Sequence, residues 1–314
     1  MAFPGLSQLV AVRAAALAYY SPYYFLRQLP AELQQEAFGT GAALRWEQEA
    51  EVLVNTGGNV RWLLKQLTWD SDYFGVPTFR LFTGLFTAQT TPSELALAAN
   101  ALRQQLAERH GAFYASCVVP AEDTGLLHGL TAAGWQLVET RLTYYRNRLS
   151  VFDYPRHPVR AATVEEGAHI GRIAAAVRNA YDRVHADPWF GAARADAYLA
   201  QYAENTIMNK LAAIVLVPDM PALPIDSFLA ISDLEGDSAA LNTRLSRVLL
   251  TAVGPSNRGW HVKLVAETLH RAQTLGHEAV LMTTQATNHA VFRTCEKLGF
   301  QLGAVSHVLV CHGG

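Results

Sequence analysis

Cysteine is scarce in this chain. Cys117, Cys295 and Cys311 are the only three in 314 residues, too scattered for a disulfide framework and without the CxxC spacing of a metal knuckle. This usage fits a reducing, cytoplasmic setting and gives no reason to expect a metal. An excess of charge is missing too. Lys and Arg number 25 against 27 Asp and Glu, a formal charge of −2, so there is no electrostatic case for nucleic acid or an anionic membrane as partner. Long apolar runs are also absent. The best candidate, Leu9 to Tyr20, is interrupted by Arg13, follows no basic segment, and falls short of the roughly 20 residues of a spanning helix; it reads as a packing helix. Small molecules or protein remain as partners, a homodimer among them.

What is present is apolar content and repetition. Half of the residues are apolar, and single cores stop growing near about 250–300 residues, so two globular units are expected. At an offset of 165 residues Gly111 falls on Gly276, Gly134 on Gly299, and Gly134-Trp135-Gln136-Leu137 on Gly299-Phe300-Gln301-Leu302. Each copy reads helix, glycine stop, strand, helix, Gly-aromatic, strand, the order expected of an internal duplication. In the first copy Thr91-Pro92-Ser93-Glu94 is a capping box with proline at the first helical position, which predicts a helix over Pro92 to His110.

Residues 1–60, with Ala-rich and Tyr-rich runs and then good helix formers from Pro30 to Glu51, read as a helical preface. Pro155 and Pro158 bracket a break near Ser150 to Pro158. Beyond it come a short strand at Val159 to Ala162, a second capping box at Thr163 to Glu166, and helical spacing of Ile170, Ile173, Val177, Tyr181 and Val184. A helix over Ala195 to Thr206 and strands at Leu211 to Val217 and Ser227 to Asp233 follow.

The most informative stretch runs from Leu249 to Phe300. A strand, Leu249 to Val253, passes through Gly254-Pro255-Ser256-Asn257-Arg258-Gly259 into an amphipathic helix that closes at Gly276. A second strand, Ala279 to Thr284, and a second helix, Asn288 to Leu298, end in Gly299-Phe300. Free N–H groups at the start of the first helix would suit a pyrophosphate. In the first copy the corresponding loop, Thr87-Ala88-Gln89-Thr90, has no glycine, and a phosphate site is not expected there.

Asn257-Arg258-Gly259-Trp260-His261-Val262-Lys263 resembles the pyrophosphate loop of the GNAT acetyltransferases, Arg/Gln-x-x-Gly-x-Gly/Ala, and the thirteen residues from Asn288 to Phe300 are similar to the second signature of that family. Trp69-Asp70-Ser71-Asp72-Tyr73-Phe74-Gly75 and His185-Ala186-Asp187-Pro188-Trp189-Phe190, with Tyr202 and Asn205, resemble landmarks of the dTDP-fucosamine acetyltransferase type, in which a degenerate half-domain precedes the catalytic one. The resemblance covers roughly Leu67 to the C-terminus. It implies an α/β (α+β) GNAT fold with a mixed, mainly antiparallel sheet. Residues 1–60 would form a helical segment, 61–155 a degenerate GNAT-like domain and 156–314 the acetyltransferase domain.

The resemblance further implies acetyl-CoA as co-substrate. Thr251, Ala252, Val253, Arg258, Gly259, Trp260, His261, Val262, Lys263, Asn288 and Val291 would contact it. The implied reaction is direct attack of a primary amine, an amino-sugar nucleotide among the candidates. Two departures bear on this: His261 and Lys263 stand where the pattern has glycine and Gly or Ala. A Cβ there obstructs phosphate, whereas a cation at a helix N-terminus attracts it. Cys295 occupies the position where many relatives carry tyrosine as general acid; it reads either as that acid or as a small buried residue. Asp233 and Glu235, at the end of a strand, are candidate bases, or else a solvated acidic turn. By the same resemblance His185 and Asp187, followed by Pro188-Trp189-Phe190, would form a substrate lid, with Trp189 and Phe190 stacking on a sugar or nucleobase or else closing the core. His307 and Cys311 share a strand face while His312 points to the other, so zinc is not expected. The alternative to an enzyme is a catalytically degenerate CoA-binding sensor or interaction module.

Overall fold

The computed structural model describes residues 4–49, 51–54 and 59–313; parts of the expected helical preface, residues 1–3, 50 and 55–58, lie outside the described residues. In chain order the elements begin with α1 (Leu6–Val12), α2 (Ala14–Leu17), α3 (Ala31–Phe38), α4 (Thr40–Glu49), β1 (Glu51–Val54), β2 (Val60–Gln66), α5 (Thr68–Phe74) and β3 (Thr78–Phe86). Next come α6 (Pro92–His110), β4 (Phe113–Pro120), α7 (Thr124–Ala132), β5 (Gln136–Asn147), β6 (Val159–Ala161), α8 (Gly167–Ala176), α9 (Arg183–Ala186) and α10 (Ala192–Met208). The chain continues through β7 (Ile214–Pro218), β8 (Ser227–Ser232), α11 (Glu235–Ala240), β9 (Leu245–Val253), α12 (Trp260–Thr274), β10 (Ala279–Gln285), α13 (His289–Lys297) and β11 (Gln301–Gly313). Two compact units result, one of Met1–Thr140 with Ala304–Gly314 and one of Arg141–Gly303.

In the first unit β1, β2 and β3 pair antiparallel, β3 and β4 pair in parallel, and β4 pairs antiparallel with the C-terminal strand β11. Alternating residues of β2 feed opposite faces, as a period of two requires. Trp62 and Leu64 join Leu95, Leu102 and Leu106 of α6 and Leu126 and Leu130 of α7, while Leu63 joins Leu9, Val10 and Leu17 of the N-terminal helices. Helix α6 starts and stops where its sequence says, with both arms of the Thr91–Glu94 capping box made. The helical reading of Pro30 to Glu51 runs too far: Glu51 opens β1 by pairing with Leu64, a partner that local periodicity cannot reveal.

The second unit is a mixed α/β layer arrangement. Its sheet runs β5-β10-β9-β8-β7-β6, with β9 and β10 parallel and the other neighbours antiparallel. Leu264, Val265 and Leu269 of α12 and Val291 and Cys295 of α13 cover one face. Ile170 and Ile173 of α8 and Ala203 of α10 cover the other. The 153–158 stretch carries no helix or strand, and Glu267 of α12 ties it down by accepting from Arg156 Nε at 2.9 Å and from the His157 amide at 2.5 Å.

The repeat read from the glycines holds in the backbone. Gly111 and Gly276 have φ of 68° and 67°, and Gly134 and Gly299 have 81° and 70°, a left-handed conformation that a side chain would penalise. Helices α7 and α13 begin at the same step of the repeat, and their caps, Asp123 and Asn288, each accept from the amide three residues on, Leu126 and Val291.

Candidate functional site

Strands β9 and β10 form a parallel ladder over four rungs, from Leu245↔Ala279 to Val248↔Met282, and then separate. Strand β9 runs on to Val253 and β10 to Gln285, so the pair opens into a fork. The cause is visible on the other edge of β9. Ala230 of β8 pairs with Leu250 and Ile231 with Val248, which leaves Leu249 as an extra residue. A bulge of this kind bends its strand and raises the local twist; here it falls one residue after the last rung. Thr251 and Val253 in the open limb are half-buried and Ala252 is buried against α8 and α10. The Thr251 hydroxyl donates to the Phe228 carbonyl at 3.0 Å.

The open limb leads into the N-terminus of α12 through a tightly held loop. Asp226 organises it: its carbonyl accepts from the Gly254 amide at 2.6 Å and its carboxylate from the Ser256 amide at 2.8 Å. A Cβ on Gly254 would collide with that carboxylate. Asn257, almost wholly buried, donates to the Pro224 carbonyl and to Ser227 Oγ at 3.1 and 2.8 Å. Gly259 then takes φ of 88° as the N-cap, with nothing within 4 Å of the place a Cβ would occupy. No side chain caps this helix. Its first amides are therefore donors without helical acceptors at the positive end of a fifteen-residue dipole. Arg258 beside them is exposed.

The two residues that replace small ones in the loop pattern point elsewhere. His261 Nδ1 lies 2.8 Å from Thr294 Oγ1 on α13, and its Nε2 is buried without a partner. Burial drives the imidazole down to about 4, so it is neutral at physiological pH and adds no charge. The Lys263 ammonium lies 4.6 Å from the Trp260 ring centroid. It also helps lower the His157 pKa, after the larger effect of burial. Trp260 and Val291 are core residues, and Val262 packs against the same cluster.

Asn288 is half-buried at the start of α13 near the open end of β10. Cys295, one turn beyond Val291, is fully buried in the α12–α13 core. Burial, and then the neighbouring Glu296, push its thiol up to about 12. The acidic candidates are at the wrong end. Strand β8 runs antiparallel to β9, so its last residue, Ser232, pairs with Arg247 on the closed side of the fork. Asp233 is held there by Arg271 through two hydrogen bonds of 2.7 Å, which lower its pKa. Glu235 is exposed on α11.

The segment from α8 to α10 adds polar contacts, one of them to the end of β10. Asn179, after α8, donates to Gln285 Oε1 at 2.7 Å. On α9 His185 lies between two carboxylates, Asp182 Oδ2 at 2.7 Å and Asp196 Oδ1 at 3.1 Å, and Asp196 also pairs with Arg178 at 2.8 Å. Phe190 is buried and meets Trp189 edge-on at 4.9 Å, with Arg194 over the Trp189 ring. Among the described residues no group of His, Cys, Asp and Glu could hold a metal, and no helix is long and apolar enough to cross a membrane.

No protein-family model and no curated protein matches the chain. Solved structures do. A GCN5-related N-acetyltransferase from Sphaerobacter thermophilus is 12% identical, with a TM-score of 0.55 over 98% of this chain and 94% of that one. One from Kribbella flavida is 16% identical, with a TM-score of 0.50 over 87% and 94%. A functionally unknown conserved protein from Staphylococcus epidermidis ATCC 12228 is 12% identical, with a TM-score of 0.53 over 83% and 93%. The chain has the mixed α/β GNAT fold.

Proposed function

We propose that the second unit is an N-acetyltransferase that moves an acetyl group from acetyl-CoA to a primary amine by direct attack. The observation that carries this reading is the fork between β9 and β10, opened by the Leu249 bulge and leading straight to the uncapped start of α12. The amides of Trp260, His261 and Val262, with Arg258 alongside, suit a diphosphate. Because His261 turns to Thr294 and Lys263 to Trp260, neither replacement fills the hollow above Gly259. The edge of β9 from Leu249 to Val253 offers backbone groups to a pantetheine arm and a donor to the thioester carbonyl, where charge develops. Asn288 faces the same arm. Holding amine and thioester in line supplies much of the remaining rate.

Proton transfer falls to water at both steps. A thiol held at about 12 is a poor acid for a leaving thiolate whose own pKa is near an ordinary 8.5 or so. With Asp233 committed to Arg271 and Glu235 on the closed side, a relayed water is the better base for the amine. As acceptor we favour an amino-sugar nucleotide of the dTDP-fucosamine type. We place the enzyme in the cytoplasm, where three free, buried thiols are at home.

The sealed Cys295 and neutral His261 also favour a second reading, a CoA-binding sensor without turnover. Thermal shift and acetylation assays separate the two. A coenzyme present at about a hundred times its dissociation constant adds about 2.7 kcal/mol to stability. Stabilisation by acetyl-CoA with acetylation of one amine among amino-sugar nucleotides, polyamines and peptides supports the enzyme; stabilisation with no acetylated amine supports the sensor; no stabilisation at millimolar coenzyme overturns both.

A further inference from the structure

The first unit repeats the fork. Strands β3 and β4 pair in parallel from Thr78↔Tyr114 to Leu81↔Cys117, after which β3 continues to Phe86 and β4 to Pro120. Here the space is taken. Arg13, from the turn between α1 and α2, donates to both carboxylate oxygens of Asp123, at 3.1 and 2.5 Å, and its guanidinium lies 4.2 Å over the Phe86 ring. The Tyr20 hydroxyl donates to Asp123 at 2.8 Å and accepts from Thr83 Oγ1 at 3.1 Å, so one hydroxyl joins the open limb of β3 to the cap of α7. The Tyr20 ring meets Phe82 edge-on at 5.2 Å.

Burial follows the same contrast. Residues Phe82 to Leu85 in the open limb of β3 are all buried, and Asp123 is 2% exposed. In the second unit Leu249, Leu250, Thr251 and Val253 are half-buried, and so is Asn288 at the position of Asp123 in the repeat. Among the described residues no Arg–Tyr pair reaches Asn288 there; its side chain accepts from the Val291 amide at 3.3 Å.

We propose that the fork of the first unit is a coenzyme-type slot occupied by the chain's own N-terminal segment, with Arg13 and Tyr20 locking it shut. Each chain then takes up one coenzyme, in the second unit. Asp123 is the reason the lock holds. An asparagine at that cap needs no cation, whereas a buried carboxylate does, and Arg13 supplies two charge-assisted hydrogen bonds in the forked geometry that a carboxylate matches.

The count of one coenzyme rests on the coenzyme reading of the second unit; the lock does not. Native mass spectrometry of the full chain with CoA, read beside hydrogen–deuterium exchange, tests both. The expected result is one CoA per chain, with exchange slowed across 249–263 and 286–292 and unchanged across 82–90 and 118–126. Two CoA per chain, or slowing at 82–90 and 118–126, overturns the lock. In the protein without CoA, Arg13→Ala should speed exchange across 118–126 by more than about a hundredfold. Tyr20→Phe, which deletes only the bridging hydroxyl and spares the fold, should do so by a smaller factor. Unaltered exchange in both variants overturns the lock even if CoA binds nowhere, an outcome that by itself defeats only the reading of the second unit.

Discussion

Asp123 and Asn288 cap helices at the same step of an internal repeat, yet Asp123 is sealed beneath Arg13 while Asn288 stands at an open fork. Removing one partner of a buried ion pair leaves the other uncompensated. Arg13→Ala should therefore destabilise the chain by about 3–5 kcal/mol, measured by chemical denaturation. Replacing both Arg13 and Asp123 by apolar residues should cost clearly less than that single change. Equal losses would mean that the pair's charges do not matter.

Cys295 tests where the leaving-group proton comes from. Cys295→Ala should leave turnover within about twofold of wild type and lower stability by about 1 kcal/mol, the cost of a small core cavity. A fall in kcat of more than about tenfold with CoA affinity unchanged would make the thiol the acid.

Asp233 should matter for acid stability and not for catalysis. Arg271 lowers its folded pKa below the unfolded value, so the stabilisation is complete above about pH 4 and is lost as pH falls through the lower, folded pKa. Asp233→Asn should be less stable than wild type at neutral pH, with a smaller loss on acidification below about pH 4. Turnover should be unchanged; a large drop in kcat would return Asp233 to the active site.

His261 acts in a different pH window. Its folded pKa, held down to about 4 by burial, lies below the unfolded value of about 6.5, so the unfolded chain binds the extra proton first. Stability should fall as pH drops from about 6.5 towards 4. His157 and His277 are also lowered by burial, so the measurement is the difference between wild type and His261→Gln. A difference that does not vary with pH over that window would contradict the buried, neutral imidazole.

Features whose determinants lie close together in sequence were legible without coordinates. The capping box at Thr91 and the glycine stops at Gly276 and Gly299 marked helix ends, because caps and left-handed residues are local chemistry. The order of strand, loop and helix through Gly259 was legible too. Features that depend on partners far along the chain were not legible. Asp233 and Glu235 looked well placed only because the direction of β8 relative to β9 is a pairing property. Arg13 read as a break in an apolar run, and its carboxylate partner lies 110 positions away. The orientations of His261 and Lys263 are set by Thr294 and Trp260, the first of these on another helix.

A crystal structure of the full chain with acetyl-CoA tests the central claim most directly. The account predicts the diphosphate on the amides of Trp260, His261 and Val262 beside Arg258, with the pantetheine arm lying between Leu249–Val253 and β10. Coenzyme bound anywhere else, or the His261 or Lys263 side chain swung into the hollow above Gly259 with no nucleotide present, would contradict it.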